Sequence, residues 1–181
     1  MANLKEIRNR ITSVSSTMQI TSAMKMVSAA KLKKAQDAIT AMRPYASTLT
    51  ELIQNLSGAL EGDAQNPYTE VREKKAVLIV AITSNRGLCG AFNANIIKKT
   101  RQLMTETYAN QKVSLLTVGK KGSEILAKTN QVVSSHDALF DELTYSKVSE
   151  VAQQVMDQFE EKAYDEVVLV YNRFKNAATQ I

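Results

Sequence analysis

The sequence has few of the residues that are typical of secreted, membrane-spanning or metal-binding proteins. Its 181 residues include one cysteine, Cys89, and one histidine, His136. A lone cysteine cannot form an internal disulfide, and no group of Cys, His, Asp or Glu has zinc or calcium spacing. No apolar run approaches the roughly 18 residues of a membrane span, and the N-terminus lacks a signal-peptide pattern. We therefore expect a soluble protein of a reducing compartment, without a cofactor or a metal.

Positive charge is concentrated in the first quarter of the chain. Residues 1–43 contain eight Lys or Arg and two acidic residues, whereas the remainder contains 15 basic and 16 acidic residues. The net charge of +5 therefore comes from the N-terminal segment. A partner that recognises this charge is expected to contact that segment.

The first part of the sequence predicts one long helix over residues 1–60. Asn3 is a suitable N-cap, and no glycine occurs between Leu4 and Ser57. Apolar residues recur at spacings of three and four, as in a coiled-coil helix that packs along another helix. This apolar seam contains Leu4, Ile7, Ile11, Val14 and Met18 and, after phase shifts, Met24, Val27, Leu32, Ala35, Ile39, Met42, Leu49, Ile53, Leu56 and Leu60. Pro44 predicts a kink or a boundary near residues 41–44, because it removes a backbone hydrogen bond.

The seam is predicted to need a partner outside this chain. A helix of about 54 residues is roughly 80 Å long, whereas a compact remainder of about 120 residues has a radius of gyration of about 14 Å. The remainder is too small to cover the seam along its length.

The rest of the sequence predicts a linker over residues 61–75 and an α/β domain over residues 76–181. Gly62, Asp63, Asn66 and Pro67 give the linker its turn-forming composition. Strands are predicted at 76–83, 113–118, 132–133 and 166–171, and helices at 91–108, 123–128 and 145–162. This alternation indicates a Rossmann-like domain with a mainly parallel sheet and helices on both faces. A further element is predicted to begin at residue 177 and to be cut short.

Two glycine-containing loops are candidates for ligand binding. Residues 83–90, TSNRGLCG, lie between the first predicted strand and helix, where phosphates bind in doubly wound folds, but their spacing matches no phosphate-binding motif. Residues 119–122, GKKG, have the form of the loop that clamps nucleic acid backbones in KH modules. The favoured interpretation is a structural turn or protein-contact loop for the first, and a tight turn between a strand and a helix, with solvated lysines, for the second. Cys89 and His136 are the candidates for a catalytic nucleophile and its base. They are weak candidates, because the sequence indicates no third residue that would complete a catalytic triad.

Two motifs resemble the gamma subunit of the F-type, proton-translocating ATP synthases. One is ITSAMKMVSAAKL at residues 20–32, and the other is SNRGLCG at residues 84–90. Supporting pieces are RPY at residues 43–45 and YNRFK at residues 171–175. The four segments occur in the family's order over essentially the whole chain.

The resemblance implies a non-catalytic central-stalk rotor that couples proton flow through a membrane ring to ATP synthesis or hydrolysis on the beta subunits. It implies contacts with the alpha and beta subunits, the epsilon subunit and the ring of c subunits, and none with nucleic acid or a small-molecule substrate. The implied contact residues on the shaft are Arg8, Arg10, Met24, Lys25, Val27, Lys31, Lys33 and Lys34. In the α/β domain, Arg86, Gly87, Leu88, Cys89 and Gly90 form either a partner contact or a structural turn.

Two features depart from the family pattern. Many members have Asp where this chain has Asn85, and the family continues into a second long C-terminal helix that winds against the first. The chain is therefore predicted to be truncated before that helix and unable to transmit full torque alone. With no organelle presequence before Asn3, we expect a peripheral protein on the cytoplasmic side of a bacterial inner membrane. The alternative is a nucleic-acid-binding protein that uses the basic helix and the GKKG loop.

Overall fold

The computed structural model describes residues 3–59, 67–70, 72–176 and 179–181. The chain divides into two compact units, Met1–Ala64 and Gln65–Ile181. The predicted linker over residues 61–75 is described from residue 67, apart from residue 71, and this described part starts with a 3-10 turn at Pro67–Thr69. Residues 60–66 lie outside the described part, and so does Leu60 of the predicted seam.

In the described residues of the first unit there is one helix, α1, over Leu4–Ala59. Asn3 caps it as predicted, because its side-chain oxygen accepts the N–H of Lys5 at 3.2 Å. The helix is continuous through Pro44, so the alternative of a boundary at residues 41–44 is wrong. Long helical stretches flank the proline on both sides, and cooperative helix propagation there outweighs the loss of one hydrogen bond.

The apolar seam of α1 is exposed along the described helix. Its large apolar residues are all exposed: Leu4, Ile7, Ile11, Val14, Met18, Met24, Val27, Leu32, Ile39, Met42, Leu49, Ile53 and Leu56. Burying such a side chain is worth about 1.5–3 kcal/mol. Among the described residues of this unit, nothing covers the seam.

The second unit is built on a four-stranded parallel sheet. Its strands are β1 (Ala76–Ile82), β2 (Lys112–Val118), β3 (Val132–His136) and β4 (Glu166–Val170). They are arranged in the order β3-β2-β1-β4. Strand β1 is one of the two interior strands, and it pairs Ala76 with Lys112 of β2 and Val77 with Glu166 of β4. The continuous apolar sequence of β1 fits this position, because both faces of a central parallel strand are covered.

Helices pack on both faces of the sheet, which confirms the predicted Rossmann-like fold. The helices are α2 (Phe92–Gln102), α3 (Lys120–Leu126) and α4 (Tyr145–Glu160). One core cluster joins Ile79 and Leu115 of the sheet to Ile97 of α2 and Leu126 of α3. The opposite cluster contains Leu78, Val80 and Leu116, with Val151 and Val155 of α4 packed against it.

Several boundaries differ from the predictions. The α-helical part of α2 ends at Gln102 and continues as a π turn over Leu103–Thr107. Strand β3 extends to His136 and is followed by a 3-10 turn at Asp137–Phe140. After β4, β5 (Phe174–Asn176) pairs antiparallel with β6 (Thr179–Gln180). Residues 177 and 178 of the predicted last element lie outside the described residues.

Candidate functional site

The residues predicted to contact partners on the shaft all lie on α1 and are all exposed. They are Arg8, Arg10, Met24, Lys25, Val27, Lys31, Lys33 and Lys34. Met24, Val27, Lys31 and Lys34 follow one another at spacings of three, four and three, so the helix places them on one face. Lys25 and Lys33 point away from this face. The helix therefore brings only part of the predicted set together, as a mixed apolar and basic strip.

The loop between β1 and α2 exposes an apolar side chain from a strained backbone. Leu88 has a φ of +58° and its side chain is fully exposed. Leucine in the left-handed region costs about 1–2 kcal/mol. Gly90 has the same φ, which glycine adopts without that penalty. Exposure and strain together indicate that Leu88 is not there to stabilise this unit.

Asn93, at the start of α2, holds this loop in shape. Its side-chain oxygen accepts the N–H of Ser84 at 3.0 Å. Its amide nitrogen donates to Ser84 Oγ at 2.9 Å, to the carbonyl oxygen of Arg86 at 3.3 Å and to Cys89 Sγ at 3.3 Å. Asn93 is buried, so these bonds satisfy a side chain that has little access to water. The loop is therefore a preformed structure.

The GKKG loop packs against the end of β1. A Cβ atom on Gly119 would lie 2.2 Å from the carbonyl oxygen of Thr83, and one on Gly122 would lie 2.8 Å from Thr83 Oγ1. Both glycines are thus required by the close approach of Thr83. This contact explains the motif as a tight turn between β2 and α3.

The backbone N–H groups of this turn are already bonded within the chain. That of Lys120 donates to Asn85 Oδ1 at 2.9 Å, and that of Gly122 donates to Thr83 Oγ1 at 2.8 Å. The N–H of Lys121 donates to the carbonyl oxygen of Ser84 at 3.1 Å. A KH-type loop needs such groups for phosphate, so the nucleic-acid alternative finds no support in this turn.

A groove of about 520 Å³ lies between the β1–α2 loop, α2 and α3. Its lining includes apolar Leu88, Ala94, Ile97 and Ile125 and basic Lys98, Arg101 and Lys121. Lys121 donates to Glu124 at 2.7 Å, which holds the pKa of that carboxyl below its ordinary value. Lys98 and Arg101 line the groove together with the predicted contact loop, but the sequence analysis did not predict them. Their position on one face of α2 with Ala94 and Ile97 is the sequence pattern that could have indicated them.

Cys89 and His136 have separate partners. Cys89 is exposed and accepts from Asn93, whereas His136 Nε2 lies 3.0 Å from Ser134 Oγ. The structure does not assemble them into a nucleophile and base. Across the described residues, no group of three or more His, Cys, Asp or Glu could hold a metal ion. No helix in that part of the chain is long and apolar enough to cross a membrane.

Comparison with known proteins identifies the family. The family model described as ATP synthase matches residues 3–181. The ATP synthase gamma chain of Flavobacterium johnsoniae is 64% identical over 181 residues, which are 100% of this chain and 63% of that protein. The chain belongs to the ATP synthase gamma-chain family. The gamma chain of Cytophaga hutchinsonii is 48% identical over 186 residues, with 100% of this chain and 63% of that protein covered.

Solved structures agree with this gamma-chain assignment. A chain in the central stalk and c-ring structure of Tetrahymena thermophila mitochondrial ATP synthase has a TM-score of 0.69 and 30% identity, with 90% of this chain and 69% of that chain covered. A chain in the rotor structure of Euglena gracilis mitochondrial ATP synthase has a TM-score of 0.58 and 23% identity, with 96% of this chain and 58% of that chain covered. The latter likeness shows the fold. The chain spans about 63% of the length of the curated gamma chains it matches.

Proposed function

We propose that the chain is the larger part of a central-stalk rotor subunit of ATP synthase. In this role it couples proton flow through the membrane ring to ATP synthesis or hydrolysis on the beta subunits and performs no catalysis itself. The observation that carries the proposal is the exposed apolar seam along α1, flanked by lysines, in a member of the gamma-chain family. The Tetrahymena central-stalk structure supports the same role.

The physical basis is a stiff, asymmetric helix among several similar subunits. The 56 residues of α1 correspond to a rod of about 84 Å at about 1.5 Å per residue. One strip of the rod carries Met24, Val27, Lys31 and Lys34, and other faces differ from it in charge and polarity. A surrounding subunit that meets this strip gains different interaction energy from one that does not. Such differential binding shifts each subunit towards a different conformation.

The two units have different proposed tasks. Residues 1–60 form the shaft, which contacts the alpha and beta subunits of the catalytic hexamer. The α/β domain, after a connection over residues 61–75, contacts the epsilon subunit and the ring of c subunits. Residues 86–90 form a contact loop, which is supported by the strain and full exposure of Leu88. The proposed location is the cytoplasmic side of a bacterial inner membrane, where the subunit is held peripherally by its partners.

The test measures binding to a purified complex of alpha and beta subunits. The double variant Lys31→Glu, Lys34→Glu reverses charge on the strip that contains Met24 and Val27. We expect at least about a tenfold rise in Kd, with a steeper dependence on salt for the unmodified chain than for the variant. The matched control is Lys112→Glu, Lys128→Glu, which makes the same charge change at exposed positions of the α/β domain and should leave Kd unchanged.

Two results would contradict the proposal. One is equal weakening by both double variants, because net charge alone would then explain binding. The other is the absence of binding to the alpha–beta complex together with RNA or DNA binding that falls steeply with salt concentration. The second result would favour the nucleic-acid-binding alternative.

A further inference from the structure

A short segment before β1 is fastened to the end of α4. We call residues 67–70 and 72–75 the strap. Within it, the Arg72 guanidinium lies 4.5 Å from the centre of the Phe159 ring, and Arg72 Nη1 donates to the carbonyl oxygen of Phe159 at 2.8 Å. The Arg72 side chain is only 8% exposed. A cation held this way contacts both the ring and the backbone of one residue, which fixes its position more firmly than a surface ion pair does.

The acidic partner of Arg72 comes from the strap itself. Glu70 Oε2 accepts from Arg72 Nε at 3.0 Å and lies 2.9 Å from Nη2. The hydrogen bond from Arg72 holds the pKa of the Glu70 carboxyl below its ordinary value. The other oxygen of Glu70 lies 3.6 Å from Lys162 Nζ, just beyond α4. Glu70 therefore compensates the charge of Arg72 and adds a second link to the end of α4.

Tyr68 extends the same contact. Its ring stacks on Phe159 with centroids 6.3 Å apart and an interplanar angle of 21°. Its hydroxyl donates to Glu160 Oε2 at 3.3 Å. Phe159 is thus held by Tyr68 and by Arg72. These contacts, together with those of Glu70, are called the clasp.

The other end of the strap is bound to the connection between α4 and β4. Asp165 Oδ2 accepts the N–H groups of Lys75 and Ala76 at 3.0 and 2.8 Å. Lys74 forms an ion pair with Glu166 at 2.8 Å. The strap then continues directly into β1, an interior strand of the sheet. Polar contacts therefore fasten it at both ends to residues 159–166.

We propose that the clasp is the point at which force carried along the chain from α1 is transferred to the α/β domain, with Arg72 as the positioning residue. The inference rests on the proposed rotor function, because a subunit that transmits torque loads the covalent connection between the two units. That connection passes through the strap before it reaches β1. Without the clasp, tension on the strap acts directly on the contacts of Lys74, Lys75 and Ala76 with residues 165–166, where β1 begins. With it, the force is shared with α4.

The first measurement is hydrogen exchange at the amides of Lys75 and Ala76 in the full 181-residue chain. Arg72→Ala is expected to lower their protection about tenfold or more, and Phe159→Leu should act in the same direction. Arg72→Lys keeps the charge but not the forked contacts, so it should recover only part of the protection. Phe159→Tyr keeps the ring and is the matched control, with unchanged protection. Unchanged protection in both Arg72→Ala and Phe159→Leu would overturn the clasp.

The second measurement uses the full-length gamma chain assembled in the ATP synthase complex. We expect Arg72→Ala and Phe159→Leu to reduce ATP-driven proton pumping several-fold at an unchanged rate of ATP hydrolysis, whereas Phe159→Tyr behaves like the unmodified chain. Reduced protection with normal pumping would overturn the force-transfer role and leave the rotor function intact. Failure of the unmodified full-length gamma chain to assemble into the complex would overturn the rotor function instead, whatever the hydrogen-exchange data show.

Discussion

Thr83 Oγ1 accepts a hydrogen bond from the backbone N–H of Gly122 at 2.8 Å, which joins the two loops that follow β1 and β2. The same hydroxyl donates to the carbonyl oxygen of Gly119 at 3.1 Å. Thr83 is buried, so both bonds form away from water. The beginning of the loop that leads to residues 86–90 is therefore joined to the turn at residues 119–122.

The two glycines of this turn are predicted to differ in their sensitivity to substitution. Gly122→Ala places a Cβ atom 2.8 Å from Thr83 Oγ1, and we expect a loss of about 1–3 kcal/mol in the free energy of unfolding. Gly119→Ala should cost more, because its Cβ atom would meet a carbonyl oxygen at 2.2 Å and its φ is +99°. Gly87→Ala is the control. It meets no atom within 4 Å and should change the value by less than about 0.5 kcal/mol. Urea unfolding measures all three, and an equal effect of Gly87→Ala would contradict the explanation.

The strands of the sheet and the turns at the two glycine-containing loops could be predicted, because local sequence determines them. The apolar run of β1 predicts a strand covered on both faces, and the structure confirms it. The start of α3 at Lys120 was not predictable in the same way. It depends on Thr83, which is remote in sequence and bonds the first turn of the helix. Asn93 was also missed, because an asparagine in an amphipathic helix usually faces solvent, whereas here the loop bends back to bond it.

Leu88 is predicted to contribute to binding at the expense of stability. In Leu88→Asn the backbone keeps its φ of +58°, which asparagine tolerates better than leucine. We expect the free energy of unfolding to stay constant or to rise by up to about 1 kcal/mol. Binding to the epsilon subunit and the ring of c subunits should weaken several-fold, because the exposed apolar side chain is lost. Leu143→Asn removes another exposed leucine and is the control for non-specific effects. Marked destabilisation by Leu88→Asn would show that the side chain serves the fold instead.

Asp165 is predicted to make stability depend on pH at the acidic end. The N–H groups of Ala76 and Lys75 hold the pKa of its carboxyl below the ordinary 3.8. Because the folded-state pKa is the lower one, the contribution is complete above that ordinary value, which applies to the unfolded chain, and is lost as the pH falls through the folded value. Asp165→Asn should therefore lower Tm at pH 7, and the difference from the unmodified chain should shrink below about pH 4. Thermal unfolding between pH 2.5 and 7 measures this, with Asp141→Asn as the control. A difference that grows with acidity would have the wrong sign.

The seam of α1 is predicted to matter for assembly and hardly at all for the fold of the isolated chain. Ile11 and Met18 are exposed and lie seven residues apart on one face, whereas Asn9 and Ser16 lie on the opposite face with the same spacing. The double variant Ile11→Gln, Met18→Gln should leave the helical circular dichroism signal unchanged, because glutamine is a good helix former. Its affinity for the alpha–beta complex should fall at least about tenfold, since apolar area no longer becomes buried. Asn9→Gln, Ser16→Gln introduces the same residues on the other face and should bind normally. Equal affinity of the two double variants would mean that the seam at Ile11 and Met18 does not contribute to binding of the alpha–beta complex.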